Sequence, residues 1–248
     1  MADPPLDPLA MPIEPLRRTF RTPPSGQVGS NDLAPTVRSC DGCGEPFQTL
    51  SGRRRYCTAC QQARWEEGER SRCLEEAQQA GQLRRRWMEL DSAIPRRYWG
   101  ATIETLVGRH VAGPKKQAQR YAEGLVDGGY QGGDSMVLCS HTRGTGKTHL
   151  AIGVAQLLMD SRLKEPPPWG RCPALFATAA NLFRRIRATY RDGAMESEAE
   201  IIEELASAPL LILDDVGQER PSEHTRETYY LVINGRYNGE RPLMLTSN

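Results

Sequence analysis

The sequence predicts an α/β protein built on a phosphate-binding loop and a parallel sheet, preceded by a small four-cysteine module and a helix. Three observations predict it. An apolar run, "SMVLCS" (135–140), feeds the glycine-rich loop "HTRGTGKTHL" (141–150), and apolar residues at helical spacing follow in "KTHLAIGVAQLLMD". A second apolar run, "PLLILDD", reads as a fully buried parallel strand ending in two acids, and a third, "PLMLTSN", reads as another strand. Two CxxC pairs lie well upstream of all of these.

Composition bounds the rest. With 38% hydrophobic and 25% charged residues, the 248-residue chain is globular in character and long enough for one large domain or two smaller ones. A net charge of +1 excludes a uniformly basic nucleic-acid binder, so any such contact has to come from a local patch. No run of about 18 apolar residues occurs, and "MADPPLDPLAMPIEPL" lacks the basic and apolar parts of a secretory signal, so a cytoplasmic chain with no membrane partner is expected. Four of the seven cysteines fall in CxxC pairs, which in a reducing compartment points to metal before disulfides. Cys73, Cys139 and Cys172 read as small buried or incidental thiols.

Residues 1–35 carry eight prolines among glycine and serine, with too little apolar periodicity to offset the entropy of ordering. A flexible leader is expected there. From Arg38 to Gln61, Cys40 and Cys43 are separated from Cys57 and Cys60 by thirteen residues. Four thiolates on two tight turns can meet one tetrahedral Zn²⁺, with redox thiols as the alternative. Gly42 and Gly44 fit turns that need positive φ. A segment this short buries little apolar surface, so metal would supply much of its stability. Arg53, Arg54, Arg55 and Tyr56 between the pairs suit backbone phosphates or an acidic partner, or else form a solvated hairpin tip.

Residues 63–93 are rich in helix formers and closely spaced opposite charges, as in an exposed helix, with Gly68 and Gly81 as points of interruption. Arg84, Arg85, Arg86 and Trp87 form a basic and aromatic cluster suited to a partner protein or single-stranded nucleic acid, the bland alternative being a wet helix face. From about Ile94 the pattern is α/β. After the loop and its helix come a strand "ALFAT", a helix near 179–190, an acidic amphipathic stretch at 196–206, the "PLLILDD" strand, a helix over roughly 222–237 and the last strand.

The loop matches GxxxxGK[ST] except that His141 holds the first glycine position. Backbone N–H groups of Gly144, Thr145, Gly146 and Lys147 would cradle phosphate oxygens at the helix N-terminus, beside His149. The Lys147 ammonium would reach the outer phosphates of ATP, and the Thr148 hydroxyl would ligate Mg²⁺. His141 is expected in the left-handed region, at a cost of roughly 1–3 kcal/mol. Asp214, at a strand's C-terminal edge, can hold the Mg²⁺ shell, and Asp215 can orient or deprotonate the attacking water. Asn248 ends a strand expected between the other two, which places its amide near the γ-phosphate.

With those residues in hand, 94–248 resembles the DnaC-type AAA+ ATPases, helicase loaders akin to the IstB transposition helpers. "IPRRYWGATIETL" is similar to the family's lead-in, "GTGKTHLA" to its phosphate loop, and "LLILDDVGQERPSEHTRETYYLVINGRYNGERPLMLTSN" to its acidic strand, following helix and sensor strand. The resemblance implies an ATP-dependent loader that places the replicative hexameric helicase on single-stranded DNA and self-associates when ATP is bound. Lys147, Thr148, Asp214, Asp215 and Asn248 then take the roles argued above, with the zinc module gripping the helicase. The alternatives are an IstB-like transposition helper and a zinc-anchored adaptor that binds ATP without efficient hydrolysis. The resemblance also leads one to expect a fragment, since the family's arginine finger, fifth strand and small helical end would lie past Asn248. That leaves ATPase activity open. Arg220, Arg226, Arg236 and Arg241 are not candidates for that finger.

Overall fold

The computed structural model describes residues 36–50, 53–128, 134–165 and 170–248. The proline-rich leader at 1–35 lies outside the described residues. Those that are described fall into two compact units, one ending at Gln79 and the other beginning at Ala80.

In the first unit, β1 (Thr36–Ser39) and β2 (Pro46–Thr49) pair antiparallel around the first cysteine pair. The second pair opens α1 (Thr58–Arg86), with Cys60 already in the helix. Gly68 and Gly81 do not interrupt α1, contrary to the sequence expectation. Twenty-seven other residues, mostly Glu, Gln, Arg and Ala, carry the helix across them.

In the second unit, α1 ends in a π-turn over Trp87–Asp91, and the lead-in continues through a short 3₁₀ turn at Arg96–Tyr98 to α2 (Ala112–Val126). Then come β3 (Met136–Cys139), α3 (Lys147–Lys164), β4 (Ala174–Thr178), α4 (Ala179–Thr189), α5 (Glu198–Ser207), β5 (Leu210–Val216), α6 (Glu223–Asn238) and β6 (Leu243–Ser247). The strands form one parallel sheet in the order β3-β6-β5-β4. β6 therefore lies between the strand before the glycine loop and the strand that ends in two acids, as the sequence led one to expect.

Local chemistry explains the elements. Leu210–Leu213 are fully buried, the property that marks a central parallel strand, and each such side chain contributes about 1.5–3 kcal/mol of burial. Ser197 and Glu200 form a reciprocal capping box that starts α5, Ser222 caps α6 through the Thr225 amide, and Thr178 caps α4 through the Asn181 amide. The α4, α5 and α6 faces meet the sheet at Leu182, Phe183, Ile186, Ile201, Leu205 and Val232.

The cluster Arg84–Trp87 is not a partner surface throughout. Arg84 is 4% exposed and donates from Nε to Asp160 Oδ1 (2.7 Å) and from Nη2 to Gln156 Oε1 (3.0 Å), while Trp87 is 1% exposed. Arg85 and Arg86 alone stay at the surface. Gln156 in turn donates to the carbonyls of Tyr98 and Ala101, and Ser92 accepts from the Phe176 amide on β4. The lead-in is thus laced to α3 and to the sheet.

Candidate nucleotide-binding site

The glycine loop joins β3 to α3, so its amides converge on the N-terminus of an 18-residue helix, where the first N–H groups have no intrahelical partner and the dipole favours anions. Gly146, at φ 87°, is the helix N-cap; a Cβ there would lie 2.4 Å from Leu106 Cδ1, so both conformation and space demand glycine. Gly144, at φ 74°, is the loop's other left-handed residue. His141 is not, which corrects the sequence expectation. The left-handed positions fall on the two glycines, which adopt them without strain, and His141 is exposed.

Two consecutive residues of α3 reach two different strands. Lys147 Nζ donates to Asn248 Oδ1 at 2.7 Å and to Ser140 Oγ at 3.1 Å, with the Thr142 carbonyl and Thr145 hydroxyl also in range. Thr148 Oγ1 donates to Asp214 Oδ1 at 2.8 Å. The hydroxyl and the carboxylate that would share a Mg²⁺ ion are therefore already side by side, and the ammonium that would meet phosphate is lodged on polar acceptors. These fit a magnesium triphosphate: a lysine ammonium, the first amides of a helix and a paired oxygen set.

Asp214 is 4% exposed. Burial pushes its carboxyl up, against the pull of hydrogen bonds from Thr246 and Thr148. Asp215 is exposed and holds φ at 55°, so the two acids differ in environment as well as in direction. His149 faces elsewhere: its Nε2 lies 3.0 Å from the Thr102 carbonyl and 3.0 Å from the Thr105 hydroxyl, fastening the lead-in to the helix.

Sequence reasoning missed Thr246. Its buried hydroxyl donates to Asp214 Oδ1 (2.6 Å) and accepts the Asp215 amide (2.9 Å). Threonine in a strand reads as an ordinary β former, so only the register of β6 against β5 exposes this role. Arg236, set aside as a finger, is 1% exposed and donates to the carbonyls of Leu205, Ala208 and Pro209, a clamp at the end of α5. A separate cavity of about 330 Å³ between α2 and α3 is rimmed by Glu104, Glu123, Asp127 and Asp160 with only Lys164 opposing them, so it would repel a polyanion.

In the first unit the four sulfur atoms of Cys40, Cys43, Cys57 and Cys60 lie within 4.8 Å of one another. Cys43 Sγ and Cys57 Sγ are 3.9 Å apart; a tetrahedral ion with bonds of about 2.3 Å needs about 3.8 Å. The Cys57 and Gly42 amides donate to Cys40 Sγ, and the Cys57 amide, foremost, draws that thiol down to about 6. Cys60 is pushed up to about 12 by the thiols of Cys57, Cys40 and Cys43 crowding around it. Gly44 has the expected positive φ, but Gly42 does not; there glycine makes room, since a Cβ would lie 3.0 Å from Cys60 Sγ. The second pair occupies the first turn of α1, not a free-standing tight turn. Arg55 is paired with Asp41 (2.7 Å) and Arg54 with the Thr58 hydroxyl (2.9 Å).

Residues 130–248 match the family described as IstB-like ATP binding protein. The chain is 23% identical over 120 residues to the Replicative helicase loader DnaC of Escherichia coli (strain K12), which covers 48% of this chain and 44% of that protein. It is 26% identical over 106 residues to the Uncharacterized protein YdaV of the same organism, 42% of this chain and 38% of that protein. The chain thus spans less than half the length of these relatives. Of solved structures, a DnaC helicase loader superposes with a TM-score of 0.49 at 24% identity, covering 62% of this chain and 80% of that one. The AMPPCP-bound DnaA from Aquifex aeolicus does so at 0.48 and 20%, covering 63% and 44%. Motif and strand order describe an α/β phosphate-loop fold, and residues 130–248 of it match the IstB-like ATP-binding family.

Proposed function

We propose that the chain is an ATP-dependent loader that places a hexameric replicative helicase on single-stranded DNA, with residues 36–62 as a zinc module, 63–93 as a helical connection and 94–248 as the ATPase core. The observation that carries this is the convergence of Lys147, Thr148, Asp214 and Asn248 from one loop and two distant strands. The likeness to DnaC adds the helicase as partner, and the reading places the chain in the cytoplasm as a self-associating, ATP-dependent assembly.

In this reading the amides of Gly144 to Lys147, with the N-terminal turn that includes His149, hold the phosphates. Lys147 leaves Asn248 for the outer phosphates, and the Asn248 amide is then free to face the γ-phosphoryl group or the water. Thr148 and Asp214 would hold Mg²⁺, which would supply neutralisation of the charge that develops on the phosphates. Asp215 orients the water and accepts its proton as the new P–O bond forms and the bond to the β-phosphate oxygen breaks, releasing ADP with the electron pair. Zn²⁺ on Cys40, Cys43, Cys57 and Cys60 stabilises the module that engages the helicase.

The test is capture of a purified hexameric replicative helicase by the full chain with and without ATP. ATP-sensitive capture that is lost in Asp214→Asn supports loading. The family match over 130–248 favours a second reading, an IstB-like helper of transposition. Capture of a transposase and not of a helicase would establish that instead. Tight ATP binding with no turnover would identify a nucleotide-gated adaptor.

A further inference from the structure

We propose that Glu219 and Tyr229 are a positioning pair that holds the Asp215 carboxylate in place for hydrolysis, tying turnover to the seating of α6 on the sheet. The proposal rests on the reading that this site hydrolyses ATP. It concerns two residues that lie outside the phosphate loop and the magnesium pair.

Asp215 is one of the few described non-glycine residues with positive φ, at 55°. Such a conformation costs of order 1–3 kcal/mol and persists only where the surroundings over-determine it. They do so here, peptide by peptide. The Asp215 amide donates to Thr246 Oγ1 (2.9 Å), and the Val216 carbonyl accepts from Ser247 Oγ (2.8 Å). Both of those anchors come from β6. The next group, the amide of Gly217 at φ 90°, donates to Glu219 Oε1 at 3.1 Å. The peptide between Val216 and Gly217 is thus held on both sides, its carbonyl by β6 and its N–H by Glu219.

Glu219 does not stand alone. The Tyr229 hydroxyl donates to the same Oε1 atom, and Glu219 Oε2 is buried without a partner among the described residues. A carboxylate in that setting keeps its place only if its one well-bonded oxygen is held firmly. Tyr229 comes from α6, and its ring meets Phe183 of α4 edge-on, with centroids 5.3 Å apart and planes at 89°. Burial, with the charge of Glu219, pushes the Tyr229 phenol far up, so it remains a donor at any working pH. The chain of contacts therefore runs from Phe183 on α4, through Tyr229 on α6 and Glu219, to the peptide after Asp215. Neither Glu219 nor Tyr229 bonds to Lys147, Thr148 or Asp214. Their effect has to pass through Asp215 and not through nucleotide affinity.

The pair is tested in the full chain with Tyr229→Phe, which keeps the ring against Phe183, with Glu219→Ala, which removes the acceptor, and with the double variant. Three readouts apply: binding of a fluorescent ATP analogue, kcat and KM for ATP, and hydrogen exchange of the Asp215 and Gly217 amides. The expected result is binding within twofold of the parent, kcat down tenfold or more in each single variant with KM unchanged, and no further loss in the double. Exchange at Asp215 and Gly217 should rise at least tenfold while β4, β5 and β6 stay protected. Unchanged kcat and unchanged exchange overturn the proposal, and so does a rise in KM with kcat intact or a loss of protection across the whole sheet. Should the parent chain bind ATP but show no turnover, the hydrolysis reading has failed on its own. Exchange then decides the pair, and an undisturbed Gly217 amide in Tyr229→Phe overturns it.

Discussion

Thr246 and Asp214 share a 2.6 Å hydrogen bond in which the buried hydroxyl of one central strand donates to the buried carboxylate of its neighbour. The same hydroxyl accepts the Asp215 amide, so one side chain holds both members of the acid pair. Thr246→Val keeps the shape and removes both bonds. It leaves Asp214 Oδ1 with Thr148 as its donor and takes the partner from the Asp215 N–H, an orphaned amide that costs about 1–3 kcal/mol. Urea denaturation should show a stability loss in that range, and magnesium-dependent binding of an ATP analogue should weaken. Unchanged values in both would show that the hydroxyl is incidental.

The raised carboxyl of Asp214 sets a pH dependence. Burial lifts its folded value above the unfolded one. Its contribution to stability is then fully present below the unfolded value and is lost as pH rises through the folded value. Asp214→Asn should flatten that part of the stability profile, measured by denaturation between acid and neutral pH. Magnesium-nucleotide affinity of the parent should move the other way, falling as acid protonates the ligand.

Two glycines should respond oppositely to alanine. A Cβ on Gly153 would lie 2.7 Å from the Ile103 amide nitrogen and 2.9 Å from the Thr102 carbonyl carbon, both backbone atoms of the lead-in. Gly153→Ala should lose about 1–3 kcal/mol and lower the melting temperature. Gly68 lies inside α1 with nothing near its missing Cβ. Gly68→Ala should gain up to about 1 kcal/mol in the unit that ends at Gln79. Thermal melts of both variants decide the pair of expectations.

Chelation should separate the two units. The cysteine module has little apolar core, so removing metal should expose the amides of residues 36–60 to exchange while those of β3 to β6 remain protected. Metal analysis of the purified chain should find about one zinc per chain. Four cysteines that titrate freely in the parent, with no bound metal, would refute the site.

The elements of the core were legible because each is written locally. Leu210–Leu213 form an apolar run too short for a helix and bounded by acids, and Ser197 with Glu200 spells a helix start. The phosphate loop was legible for the same reason, its chemistry being confined to Gly144–Thr148. Arg84 and Trp87 were misleading because what buries them is remote: Asp160 lies 76 residues from Arg84 in sequence. The backbone of His141 was misjudged because a motif position names a residue type and not the dihedral angle of a substitute.

The sequence by itself determined which groups exist: four thiols in two pairs, a lysine and threonine at a helix start, and two acids after a buried strand. Periodicity and spacing are short-range properties, and the members of each such group lie close together in sequence. Only the tertiary structure decided which groups meet. β6 enters between β3 and β5, and that single choice of neighbours brings Asn248 to Lys147, Thr246 to Asp214, and Ser247 to the turn after Asp215. The place of β6 was expected from the sequence; which atoms then pair was not, because register and side-chain contacts follow from how the whole sheet buries its apolar faces, a sum over distant residues.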